Sequence, residues 1–61
     1  MTREEFLREL CRRLMAEMPQ AEAEQHLTYY AEMLADRMEE GMSEEEAVAS
    51  LESVEVIVQR I

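Results

Sequence analysis

Apolar residues recur along this chain at three- and four-residue spacing, and the pattern is interrupted at Pro19, at Gly41 and around Ser53. In the first stretch Phe6, Leu7, Leu10, Leu14 and Met18 share one helical face. Thr2 and Glu5 stand at capping-box spacing ahead of it, and Glu4–Arg8 and Glu9–Arg13 are favourably ordered i,i+4 pairs. Pro19 closes this helix, because the residue before a proline is pushed out of the α region, and a proline suits the first turn of the next one. The second helix carries the stripe Ala23, Leu27, Tyr30, Leu34 and Met38, and Gly41 supplies the left-handed residue that ends it. Ser43 and Glu46 form a second capping box, with Met42 and Ala47 at staple positions; Ala47, Val48 and Leu51 then face inward. The β-branched run from Val54 to Val58 has a strand-like composition, but a lone strand has nothing to pair with. Its spacing Leu51, Val54, Ile57 or Val58, Ile61 is helical, with Ser53 as N-cap. The predicted fold is all-α: one domain, 1–61, a compact bundle of three to four helices at roughly 3–17, 20–40, 44–51 and 54–60. Whether the last two are separate or continuous stays open.

The second helix has more apolar residues than one packed face needs. His26, Tyr29 and Met33 form a shoulder on one side of its stripe, and Ala31 and Ala35 widen the other. The combined arc is roughly 240°, against the ~100° of a single buried face. Tyr29 and Tyr30 point about 100° apart on a helix, which puts Tyr30 on the core stripe and Tyr29 on the shoulder. Tyr, Met and His together make a deformable contact surface, and Arg37 lies near Met33. Either the first and fourth helices cover this shoulder between them or it is an interface. Gln25, Thr28, Glu32, Asp36 and Glu39 line the opposite face. Glu32 and Asp36, four apart, can hold a hard cation or pair with basic groups of a partner, although such a pair is more often a solvated face.

Composition narrows the possible functions. A domain of 61 residues buries only ~60% of its unfolded surface and draws ~3–5 kcal/mol from its core. The single cysteine, Cys11, precludes an internal disulfide and suits a reducing compartment. No apolar run approaches the ~20 residues that span a bilayer, so a soluble, cytoplasmic chain is expected. Charge is segregated: Arg3, Arg8, Arg12 and Arg13 balance Glu4, Glu5, Glu9 and Glu17, so the whole net charge of −9 arises from residue 19 onward. That surface repels phosphate, which disfavours direct nucleic-acid or anionic-membrane binding, and it permits a basic protein partner; keeping a Met-rich domain soluble is the plainer role for the same charge. No catalytic group, cofactor site or metal site is expected. The chain lacks a Gly-rich phosphate loop, a nucleophile elbow, Cys-x-x-Cys and His-Glu-x-x-His. Cys11 and His26 can meet across the first two helices without a third group to orient them. Glu22 and His26 offer two metal ligands where three or four are usual.

Taken in order, T-R-E-E-F-L-R-E-L near the start, M-P at 18–19, L-T-Y-Y-A-E-M-L-A-D at 27–36, G-M-S-E-E-E-A-V at 41–48 and the final I-V-Q-R-I resemble the HAAS (helix-turn-helix-associated α-helical signalling) domain over essentially the whole chain. The matching positions are Phe6, Leu7, Leu10, Leu14 and Pro19, then Leu27, Tyr29, Tyr30, Glu32 and Asp36, then Gly41, Ser43, Glu44 and Glu45. The resemblance implies a module at the cytoplasmic N-terminus of bacterial membrane proteins that contacts PadR-like winged-helix transcription regulators, and hence a domain excised from a longer protein on the cytoplasmic face. One departure stands out: L-E-S-V at 51–54 replaces the family's L-G-x-P, so Glu52 stands for a helix-stopping glycine and Val54 for a helix-starting proline. A left-handed Glu costs roughly 1 kcal/mol more than Gly, which predicts a softened or absent break between helices 3 and 4. The expected function is non-catalytic docking of a PadR-like regulator or another basic partner. His26, Tyr29, Met33 and Arg37 are the expected contacts, with Glu32, Asp36, Glu39 and Glu40 steering. The alternative is a self-associating structural domain with a homodimer seam on the second helix.

Overall fold

The computed structural model describes the chain from Met1 to Ile61 as four helices without strands: α1 Arg3–Met15, α2 Gln20–Glu39, α3 Glu44–Ala49 and α4 Val54–Arg60. Both capping boxes form. Thr2 Oγ1 accepts from the Glu5 amide at 3.1 Å while Glu5 accepts from the Thr2 amide at 2.9 Å. Ser43 and Glu46 repeat this at 3.1 and 3.0 Å. α1 stops two residues earlier than its apolar pattern suggests, at Met15. The amides of Glu17 and Met18 both bond Leu14 O at 3.0 Å, which tightens the end into a turn before Pro19. Pro19 is the N-cap of α2, in extended backbone, and its carbonyl accepts from Glu22 and Ala23.

At the end of α2, Gly41 adopts φ +113°. The Met42 amide then bonds Arg37 O and the Gly41 amide bonds Met38 O, both at 3.1 Å, which is the paired closure of a Schellman motif. The junction between α3 and α4 is a true break, and it needs no left-handed residue: Gly41 alone has positive φ. Ser50 caps α3 in right-handed geometry, and Ser53 swings to extended backbone (φ −65°, ψ 157°). The Ser53 hydroxyl then accepts from the Val56 amide at 3.3 Å. The expected penalty for a left-handed Glu52 therefore does not arise, because a serine N-cap restarts the helix.

Phe6, Leu10 and Leu14 of α1 are buried with Ala23 and Leu34 of α2, Ala47 and Val48 of α3, and Val54, Ile57 and Val58 of α4. α1 packs against each of the other three helices, and α2 also packs against α3, whereas the backbones of α2 and α4 do not come into close contact and the two helices meet only through side chains. The centre of the bundle is thus α1, although α2 has the wider apolar arc. Across the gap between sequence-distant helices, the Arg3 amide donates to Glu44 Oε1 at 3.2 Å, tying the start of α1 to the start of α3. No buried side-chain nitrogen or oxygen lacks a partner, and no helix is long and apolar enough to cross a membrane.

Candidate interaction surface

Because α2 is 20 residues long and only Ala23 and Leu34 are fully enclosed, much of its apolar arc faces outward. Tyr30 is half-buried against the core, and Tyr29 meets it edge-on with ring centroids 5.1 Å apart and planes at 84°. Tyr29 itself is 58% exposed. Met33 and Arg37, one and two turns on, are half-buried. The Arg37 guanidinium donates to Ser50 Oγ at the end of α3 and lies 3.9 Å from Met33 Sδ.

Tyr29, Met33 and Arg37 border a groove of about 250 Å3 whose other wall is Leu51, Glu52 and Arg60, with Ile57 beneath. That far wall comes from the link between α3 and α4 and from α4 itself, so the shoulder is walled on one side but not roofed. Glu52 pairs with Arg60 across the break. Tyr30 lies beside this pair: burial, then the neighbouring Tyr29 and Glu52, push its phenol above the ordinary range.

His26 lies elsewhere. It is half-buried in a second, wider and more polar trough, with Glu22 and Gln25 beside it on α2, Arg13 and Glu17 near the end of α1, and Val58 and Ile61 of the last helix and its cap. The structure therefore brings Tyr29, Met33 and Arg37 together and places His26 in an adjoining depression. Cys11 is absent from the lining of that trough; its Sγ is 3.7 Å from Met15 Sδ.

Glu32, Asp36, Glu39 and Glu40 are exposed, and none is in an ion pair, the pairs being Arg12–Glu9 and Arg60–Glu52. At about 100° per residue, Asp36 and Glu40 project within roughly 20° of Tyr29, so Asp36 flanks the shoulder rather than lining the opposite face, although neither carboxylate lines the groove itself. Glu32 stands roughly 60° from Tyr29 and Glu39 roughly 80°, toward the back of the helix. No group of three or more His, Cys, Asp or Glu comes together in a way that can hold a metal ion. The arrangement offers a groove of mixed polar and apolar lining with exposed carboxylates on the neighbouring face of α2, and no nucleophile set beside a base.

Ser50, Glu52, Ile57 and Arg60 complete the groove but were not singled out for it in the sequence. Nothing in their local pattern marks them, since they reach α2 only through the chain reversals at Gly41 and Ser53.

The sequence model of the HAAS family matches residues 5–60, nearly the whole chain. No curated protein and no solved structure matches it.

Proposed function

The chain belongs to the HAAS family, and from that premise we propose that it is a non-catalytic interaction and signalling module whose α2 surface docks a PadR-like winged-helix regulator. The observation that carries this reading is the exposed Tyr29 beside a half-buried Met33, next to acidic side chains without internal counter-charges. An exposed aromatic flanked by an adaptable thioether is the kind of anchor that protein interfaces use, and the surrounding carboxylates speed encounter with a basic partner. In this reading the domain acts in the cytoplasm, as part of a membrane protein that signals through the regulator.

Co-purification with a PadR-like regulator from the same genome tests it, alongside the double variant Tyr29→Ala, Met33→Ala. Capture by the wild type and at least a tenfold weaker interaction by the variant are expected, as for loss of an interface anchor worth more than about 1.4 kcal/mol. Undiminished capture by the variant would move the site off α2. Failure of the wild type to bind would remove the regulator as partner.

A second reading, a homodimer seam on α2, draws on the same exposed Tyr29 and on the exposed Met15 and Ile61. Two copies would bring together surfaces from chains of net charge −9 each, which works against close association. Sedimentation that stays monomeric to high concentration excludes it.

A further inference from the structure

We infer that the surface along α2 and α4 receives one amphipathic helix of the partner, with its apolar edge in the groove and its Lys or Arg residues over the α2 rim. This inference rests on the docking reading above and specifies what docks.

The first argument is shape. α1 lies against both α2 and α4, whose backbones do not come into close contact, and side chains of the two helices face each other across depressions over the core. The depression at His26 and the one at Tyr29 lie in succession along α2. On α2, Glu22, His26, Tyr29, Met33 and Arg37 follow one another at three- and four-residue steps. From Glu22 to Arg37 this edge runs about 22 Å, or about four helical turns. A long, open trough of this kind suits a rod better than a compact small molecule, which wants most of its surface enclosed.

The second argument is chemistry. Tyr29, Met33 and Leu51 offer apolar contact at the Tyr29 end, and Ile61 offers it at the His26 end, above the buried Ile57 and Val58. The α2 rim holds Glu22, Asp36 and Glu40, all exposed and outside the ion pairs of the structure. Of the nearby cations, Arg60 is paired with Glu52 and Arg37 donates to the Ser50 hydroxyl, and Arg13 stands at the far, α1 side of the His26 depression. A docking element that is apolar on one edge and cationic beside it satisfies both halves of the surface.

The same features argue against other occupants. A second copy of the chain brings more carboxylates to this rim. Nucleic acid and anionic lipid carry the wrong sign. An extended peptide has no strand edge to add to in an all-helical domain, whereas a helix satisfies its own backbone and presents anchors at i, i+3, i+4 and i+7.

The probe is a fluorescein-labelled synthetic Leu/Lys peptide of about 18 residues with leucines at i, i+3, i+4 and i+7 spacing. It is compared with a twin bearing Glu for Lys and with a scrambled peptide of identical composition that has no apolar edge. The Leu/Lys peptide should bind with amide shifts concentrated along α2 and α4, at least tenfold tighter than either control. Tyr29→Ala with Met33→Ala should weaken binding about tenfold, and Asp36→Lys with Glu40→Lys should weaken it at least as much. Equal binding of the scrambled peptide, or shifts centred on the outer faces of α1 and α3, would overturn the inference. A regulator that binds α2 but is not displaced by the Leu/Lys peptide removes the helix while leaving the docking function standing. A peptide that binds as expected, beside a regulator that does not bind, removes the regulator and keeps the helix.

Discussion

Glu5 and Glu46 are the residues at which charge and local structure are most directly linked. Each carboxylate accepts the backbone amide of its N-cap residue and is held below the usual carboxylate range, first by that amide and then by the cap hydroxyl. Each box closes backbone amides that the first turn of a helix otherwise leaves without a partner. The sign of the pH effect follows from linkage. The unfolded carboxylates take up protons at a higher pH than the folded ones, so the contribution is complete above about pH 4.3, the unfolded Glu value, and is lost as pH falls through the folded values. Replacing both with Gln keeps the hydrogen-bonding shape and removes the titration. The melting-temperature gap between wild type and Glu5→Gln, Glu46→Gln should be widest above about pH 5 and close as pH drops below about 4. Circular-dichroism melts across that range measure it, and a gap independent of pH would show that cap charge does not contribute. The remaining carboxylates are common to both proteins, so their repulsion cancels in the comparison.

The α3–α4 break shows how an element boundary can be kept after its usual residues are replaced. Ser53 already sits in the extended region that a residue before proline requires, and Val54 is the first residue of α4. Proline at 54 is therefore compatible with the backbone, and Val54→Pro should leave the fold intact and change stability by less than ~1 kcal/mol, toward stabilisation. Glycine at 52 has no such match, because Glu52 lies outside the positive-φ region where glycine is favoured. Glu52→Gly should instead lower stability by about 0.4–1 kcal/mol by loosening the unfolded chain. Urea titrations of the two variants would separate them, and stabilisation by Glu52→Gly would contradict the observed geometry. Both capping boxes and the Gly41 stop were legible from sequence because each depends on residues within about four positions, whereas Ser53 reads as an N-cap without showing whether the chain breaks there. The two-residue shortening of α1 was not legible, since it follows from how Leu14 O draws in two amides ahead of Pro19.

Across the whole molecule the governing fact is charge imbalance: −9 on 61 residues, with the carboxylates of α2 outside ion pairs. Like charges spread over a domain 34 × 18 × 18 Å oppose compaction, and salt screens them as the Debye length falls from about 10 Å at 0.1 M to about 3 Å at 1 M. The melting temperature of the free domain should therefore rise with sodium chloride over that range. Docking of a basic partner should weaken over the same range, because it depends on the same field. Opposite salt trends in calorimetry and in binding titrations test this together. A melting temperature that falls with salt would mean that attractive pairs outweigh the repulsion.

The sequence by itself determined the helices, their caps, the glycine stop and the segregation of charge, because periodicity and capping are local and charge can be read directly by position. It also distinguished Tyr29 from Tyr30, since adjacent helical residues must diverge by about 100°. Only the tertiary structure decided that α1 lies at the centre, that α3 and α4 are separate, and that the shoulder of α2 is walled by the α3–α4 link with His26 in a neighbouring trough. Those outcomes depend on which helices come together after the chain reverses at Gly41 and Ser53. Amphipathicity shows that a face must be covered or docked, but it does not say by which helix.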